Sequence, residues 1–430
     1  MMSRRQMLKA VSAAAGCALA PGVIAFASEP WKLSKEDEAF LDDLERQGCL
    51  FFWEQASAKT GQILDRARND LSGARDPRRQ ASIASVGFGL TALCIADRRG
   101  YLPHAEIVER VKTTFEWNLN SLPEVHGFFY HFSDIESGER YQGAELSSID
   151  TSLLLCGVLT TRAYFEDARI QSLAQQIYER VDWPWMLNGG KTFSMGWKPE
   201  TGFLNSRWKT YCELMMIYLL AIGSPTHAVA PEYWNHFSRP VIHYQGYDYI
   251  SGNDPLFTHQ FSHAWYDFRG KRDAYADYFA NSVTATRAHK AFCLSLPEWY
   301  SEDYWGITAS DSVHGYTAWG GPPKQGHLDG TVVPSAAAGS LAFLPEDCIS
   351  VLRAMRSNWG KQAWGRYGFV DAFHPSANWY DRDVLGINQG ISVLMAENLR
   401  SELVWNTFMR NRESVNAMQR AGFHGNGLAG

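Results

Sequence analysis

The chain has 430 residues, 45% of them hydrophobic, enough to bury one large core or two smaller ones. A formal net charge of −6 argues against nucleic-acid binding, which needs a basic surface. Aromatic residues reach 13%, with 16 Trp and 19 Tyr, and these side chains pair a flat apolar face with a polar handle that suits sugar rings.

Residues 1–27 read as an export signal rather than as part of the fold. Ser3-Arg4-Arg5-Gln6-Met7-Leu8-Lys9 matches a twin-arginine motif, an Ala-rich stretch follows, and Ala25-Phe26-Ala27 offers a cleavage site. The competing reading is a lipoprotein, with Cys17 in a weak lipobox. No later apolar run reaches the length of a spanning helix, so export to the periplasm or medium is expected rather than membrane insertion. Cleavage leaves six cysteines: Cys49, Cys94, Cys156, Cys212, Cys293 and Cys348. None forms a CxxC pair and most sit in apolar context, which predicts small buried hydrophobes rather than a disulfide framework.

Apolar spacing predicts a helix over Glu36 to Ala58, a polar irregular stretch with Asp65 and Arg66, then helices over Ala81 to Arg99 and from Pro103 to Leu119. Gly127 to Phe132 reads as a strand with a hairpin turn at Ser137-Gly138. Helices follow over Ile149 to Phe165 and Ala168 to Asp182. The next, Ser206 to Pro225, starts at a Ser206 cap and stops at Gly223. A short helix is expected over Pro231 to Phe237 and a long one over Asp273 to Cys293, while Phe257 to Asp267 is ambiguous. Gly306 to Val333 has no periodicity and reads as a long loop, a length usually kept for function. Helices resume at Ala336 to Leu341, Pro345 to Asn358 and Asn388 to Arg410. No repeat or linker divides the chain. The expectation is a single all-helical domain over residues 28–430, a monomer, with inner helices apolar nearly all round and long loops gathered on one face.

Glu213 stands alone in the apolar run from Tyr211 to Ile222. An ionised carboxylate there is costly unless it pairs or takes up a proton. One reading turns it outward or pairs it with Lys209; the other aims a catalytic acid into a cavity. Asp150, in the first turn of a helix capped by Ser148, is placed for the helix dipole to keep it ionised, though Asp there is also a common stabiliser. Glu145 sits in the preceding loop, either solvated or part of the same constellation. Two carboxyls with pKa values pushed apart are what glycoside hydrolysis needs. Further acidic and amide candidates among aromatics are Asp329, Asp371, Asn388, Gln389 and Glu397, with Gln260, His263, Asp267 and Arg269 in a separate cluster. His259 and His263 are four apart, but no HExxH motif completes a metal site, so neither metal nor cofactor is expected. No GxGxxG, P-loop or GxSxG elbow is present.

Several segments together resemble the glucoamylase-like domain family that includes bacterial endo-β-1,2-glucanases of glycoside hydrolase family 144. They are FFWEQA (Phe51 to Ala56), ELSSIDTSLLL (Glu145 to Leu155), YCELMMIYLLAIGSPTH (Tyr211 to His227), HQFSHAWYDFRG (His259 to Gly270), HLDGTVVPSAAAGSLAFLPE (His327 to Glu346), YGFVDAF (Tyr367 to Phe373), GINQG and AENLRSELVW (Gly386 to Trp405). The resemblance implies an (α/α)6 barrel with an open cleft, and an inverting hydrolase of β-glucan, foremost of β-1,2-glucan. It maps the catalytic acid onto Glu213 and further acidic site residues onto Glu145 and Asp150, with Asp371 a candidate base. Cys212 departs from the small residue expected before the catalytic Glu. Trp53, Trp197, Trp208, Trp319 and Trp379 are candidates for stacking on sugar. Asp65, Arg66, Gln260, His263, Asp267, Asp329 and Gln389 are candidates for hydrogen bonding to it. The rival readings are a transglycosylase or a hydrolase of another linkage on the same barrel, a non-catalytic glycan-binding protein, and a partner-binding helical protein.

Overall fold

The structure, a computed structural model, describes residues 32–71, 73–252, 255–323 and 326–428. The export signal expected over residues 1–27, with Cys17, lies outside the described residues. The helices that frame the molecule are α1 (Lys35–Glu54), α2 (Ile83–Arg99), α3 (His104–Asn120), α4 (Ser148–Tyr164), α5 (Ala168–Glu179) and α6 (Met215–Gly223). They continue with α7 (Phe261–Trp265), α8 (Tyr278–Leu294), α9 (Pro334–Ala338), α10 (Pro345–Ala363), α11 (Gly386–Ser401) and α12 (Arg412–Arg420). Short antiparallel strand pairs, mostly of two or three residues a side, dress the connections.

The helices fall into two kinds because their sequences do. α2, α4 and α6 are buried almost all round and carry no polar stripe. α3, α5 and α12 bury one face and leave the other to solvent, as amphipathic spacing dictates. α2 packs between α4 and α11, α6 lies on α4, and α9 lies on α11. Contact between α2 and α4 is close because both carry glycine at the crossing. A Cβ on Gly87 would meet the Leu153 carbonyl oxygen at 2.2 Å, and one on Gly157 would meet the Gly87 carbonyl oxygen at 2.1 Å.

The starts of α2, α4, α6 and α11 meet at one end. Leu64 bridges to Ala81 just before α2, and the Gly386 N–H at the start of α11 donates to the Asp65 carbonyl at 2.8 Å. The His131 N–H donates to the Glu145 carbonyl at 2.9 Å, just before α4. Trp208 Nε1 donates to Ser148 Oγ at 2.8 Å, joining the start of α4 to the segment that leads into α6.

Some expected boundaries shift for identifiable reasons. The helix expected over Ser206 to Pro225 is only Met215–Gly223. Ser206 is exposed and caps nothing. Its carbonyl instead accepts from the Met195 N–H, Arg207 bridges to Ser194 and Thr210 to Ser238, so residues 206–210 are held extended by neighbouring chain. α8 starts at Tyr278 rather than Asp273 because Asp277 caps it; the Asp273 carboxylate accepts from Tyr275, Ala276 and Trp234. The helix expected over Asn388 to Arg410 breaks at Glu402, which adopts φ 60°. Residues 306–333 form a long irregular connection, as their composition predicts. Six cysteines, Cys49 to Cys348, are free and buried. No helix among the described residues is long and apolar enough to cross a membrane.

Candidate active site

Glu213 sits in the turn that leads into α6, not within the helix. Ser262, the second residue of α7, fixes that turn: its Oγ donates to the Glu213 carbonyl at 2.7 Å and accepts from the Met216 N–H at 3.1 Å. A side chain from another helix thus satisfies a donor at the start of α6. The Glu213 residue is 8% exposed and lines a cavity of about 360 Å³ with Trp208, Cys212 and Phe257, while Lys209 stands exposed at its rim. Burial pushes the carboxyl up to about 7; the neighbouring charge of Asp150 adds to the rise, and the Cys212 thiol opposes it by hydrogen bonding. The outward or Lys209-paired alternative is therefore not what the fold builds.

Asp150 lies in the first turn of α4, but Ser147, not Ser148, caps that helix. Ser147 Oγ accepts from the Asp150 N–H at 3.2 Å and donates to the Asp150 carboxylate. Ser148 is drawn away because its hydroxyl donates to the Ser194 carbonyl at 2.8 Å and accepts from Trp208. Glu145 is half-buried rather than solvated. Its Oε1 lies 3.2 Å from His131 Nδ1, and that hydrogen bond holds the carboxyl down at about 2 against the effect of burial. The other ring nitrogen, Nε2, lies 3.7 Å from Asp150 Oδ2. Burial lowers the affinity of His131 for a proton, yet Asp150, Glu145 and Asp65 together lift its pKa to about 9.

Beyond Asp65 the acidic track continues. Arg66 pairs with Asp65 at 3.1 Å and with Asp311 at 2.5 Å. Burial raises the pKa of Asp65. Asp371 is buried, accepts from the Asp311 N–H at 2.8 Å and from Asn388 Nδ2 at 2.7 Å, and is pushed well above the usual carboxylate range by burial. Burial also lifts Asp381 to about 7. Carboxylate oxygens of Asp311, Asp371 and Asp381 lie within 4.8 Å of one another, and the charge of Asp311 adds to the rise at Asp371 and Asp381. Next to them a second cleft of about 700 Å³ opens between Trp379, Tyr380, Asp381, Arg68 and Arg78.

The sequence candidates divide by what holds them. Glu213 and Trp208 share the first cavity. Glu145, Asp150, Asp65, Arg66 and Asp371 form the charged track, and Trp379 lines the second cleft. Trp197 belongs to the strand Gly196–Lys198, which pairs with Leu146 beside Glu145, and packs near Trp185. The others are committed elsewhere. Arg110 covers the ring of Trp53, with its guanidinium carbon 4.3 Å from the centroid. Gln260 Nε2 donates to the Ala336 carbonyl and to Ser340, tying α7 to α9. His263 is buried against Phe268, Phe279 and Phe343 and hydrogen-bonds Ser282; burial pushes it and His259 down to about 3, so both stay neutral. Asp267 pairs with Arg269 and Lys271. Trp319 is 1% exposed, donates to Ser310 Oγ and stacks on His327. The Asp329 side chain accepts from the Thr331 N–H, and Gln389 donates to the Phe369 carbonyl. His131, Asp311 and Asp381 were not singled out by sequence; each gains its charged partners only on folding.

Comparison with known proteins finds one family model over part of the chain and several relatives. Residues 205–412 match the family model described as "Putative glucoamylase". A relative from Parabacteroides distasonis, an exo beta-1,2-glucooligosaccharide sophorohydrolase (non-reducing end), is 27% identical over 428 residues, which cover 89% of this chain. The match spans only 58% of that relative's length. Among solved structures, an endo-beta-1,2-glucanase from Chitinophaga pinensis, in complex with sophorotriose and glucose, aligns with a TM-score of 0.82 at 28% identity, covering 91% of this chain and 99% of its own. A beta-1,2-glucanase from Parabacteroides distasonis aligns with a TM-score of 0.83 at 25% identity, covering 91% of this chain and 60% of its own.

Proposed function

Given that this chain carries a glucoamylase-like domain, we propose that it is a glycoside hydrolase that cleaves β-1,2-glucan with Glu213 as general acid. The observation that carries this reading is a buried carboxyl, raised to about 7, on the wall of a cavity and within electrostatic reach of a second carboxylate. Glu213 gives its proton to the glycosidic oxygen as the C1–O bond breaks. A water attacks C1 from the opposite face of the sugar ring, and its proton passes to a carboxylate base. Asp150 is the base we favour over Glu145, whose proton affinity His131 depresses, and over Asp371, whose oxygens accept from two neighbours deep in the core. No cofactor enters these steps.

The same reading takes the fold as an (α/α)6 barrel forming one catalytic domain over residues 28–430. Its support is a chain of neighbours among the inner helices. It runs from α2 to α4 to α6 by packing, from α6 to α7 through Ser262, from α7 to α9 through Gln260, and back through α11 to α2. Export through a twin-arginine signal to the periplasm or medium, as a monomer, completes the proposal.

The test is reducing-sugar release from β-1,2-, β-1,3-, β-1,4-, mixed-linkage and α-linked glucans, with NMR of the first-formed anomer. Cleavage of β-1,2-glucan alone with an inverted anomer is the expected result. Cleavage of another linkage removes the substrate assignment, a retained anomer removes the inverting one, and binding without turnover makes this a glycan-binding protein.

A further inference from the structure

We infer that His131 is a cationic positioning residue, a clamp whose two ring nitrogens face Glu145 and Asp150 and fix both carboxyl groups beside the acid Glu213. The inference rests on the hydrolase reading for its consequence, but not for its geometry.

Four observations carry it. The ring presents Nδ1 to Glu145 at 3.2 Å and Nε2 to Asp150 at 3.7 Å, so neither nitrogen faces a hydrogen-bond donor. A neutral imidazole carries no charge to offer either carboxylate; an imidazolium hydrogen-bonds Glu145 through Nδ1 and faces Asp150 with its second N–H at ion-pair distance. Main-chain bonds fix the backbone of the residue, its N–H donating to the Glu145 carbonyl and its carbonyl accepting from the Ile83 N–H, and its ring stacks on Phe132 at 3.8 Å. The partners come from two separate parts of the chain: Glu145 and Asp150 at the start of α4, and half-buried Asp65, whose own cation, Arg66, is shared with Asp311. Two further cations act on Glu145, Lys198 and Arg140, and Arg140 is itself paired with Glu200.

The consequence is electrostatic. Asp150 carries a negative charge toward Glu213 and raises its proton affinity. His131 partly cancels that charge. With it in place, Glu213 can hold its proton near neutral pH and still release it to a leaving oxygen. Without it, two or three carboxylates face one another unbalanced. One of them then takes up a proton, or Glu213 holds its own too tightly. The strong ion pairs of His131 thus act through Glu213 and Asp150 rather than on the sugar.

Two measurements test this. In protein labelled with 15N at histidine, the ring nitrogens of His131 should stay in the doubly protonated form past pH 8. In Glu145→Gln, the titration midpoint should fall by about one pH unit or more, a tenfold change in proton affinity. A midpoint at or below that of free histidine in the wild type overturns the inference. These shifts decide the protonation state whether or not any glucan is cut, so they separate a failure of the clamp from a failure of the hydrolase reading. In His131→Gln, kcat on β-1,2-glucan should fall by about tenfold or more with little change in KM, and the alkaline limb of the pH–rate profile should move upward. A variant that loses activity with the limb unmoved, or that keeps wild-type kinetics, contradicts the role. If that variant does not fold, His131→Lys restores a cation at the position and should recover folding, which a purely packing role would not do.

Discussion

Glu213 is ordinary in its chemistry and unusual only in where the chain puts it. Its pKa near 7 comes from burial first and from Asp150 second. The sign of the pH dependence follows. A general acid works while protonated, so the alkaline limb of activity should lie near pH 7, with the rate falling roughly tenfold per pH unit above it. A pH–rate profile of kcat on β-1,2-glucan checks this, and an alkaline limb near pH 5 would remove Glu213 from the role. The place of Glu213 in an apolar run was legible in the sequence, but whether it faced outward, paired with Lys209 or pointed into a cavity was not; the fold turns it to the cavity. His131 was not legible, since a histidine inside GFFYHF reads as part of a strand. Its carboxylate partners lie 14, 19 and 66 positions away in the chain. Gln260, His263 and Asp267 read as a binding cluster in the sequence; in the fold Gln260 hydrogen-bonds Ser340, His263 hydrogen-bonds Ser282 and Asp267 pairs with Arg269, contacts that no local pattern announces.

At the scale of elements, the helices that bring the site together were readable from their composition, and their ends were not. α2 and α4 show up as unbroken apolar runs, but the reason they lie so close is a backbone contact at Gly87 and Gly157. A methyl group at either position has no room, because the atom it meets is a main-chain carbonyl. Gly157→Ala should therefore lower stability by about 1–3 kcal/mol or more, read as a shift in the urea midpoint with an unchanged slope. A variant as stable as wild type would show that the two helices can part without loss. The start of α6 was misplaced in sequence because its cap comes from Ser262, 46 positions beyond Met216, and from no residue near Ser206. Tertiary capping of this kind leaves no local signal. It also places Glu213 in a turn, where its carboxyl meets the cavity, rather than on a helix face.

Across the whole molecule, the acidic track occupies one end and a second charged cluster closes the far ends of α1, α2 and α11. Glu45 and Glu397 are both fully buried; Arg99 pairs with Glu397 at 2.8 Å and Arg400 with Glu45. Burial, and then the charge of Glu397, push Glu45 well above the usual carboxylate range. Removing one cation leaves buried carboxylates uncompensated, so Arg400→Met should cost about 3–5 kcal/mol in denaturant unfolding. A loss below about 1 kcal/mol would mean that Glu45 is already neutral and needs no partner. The helix-rich class and the long irregular connection that follows Gly306 could be read from composition and spacing. The order of inner helices and the convergence of Glu213, Asp150, Glu145 and Asp371 at one end could not, because these depend on which faces meet.

The most direct test of the account is the initial rate of reducing-sugar release from β-1,2-glucan by wild type and by Glu213→Gln at the same pH. The account predicts that wild type cuts the polymer, and that the variant, folded by circular dichroism, is slower by about 10²–10⁴-fold. A Glu213→Gln variant that keeps its rate within about tenfold of wild type would contradict the assignment of the acid, and with it the mechanism built on that cavity.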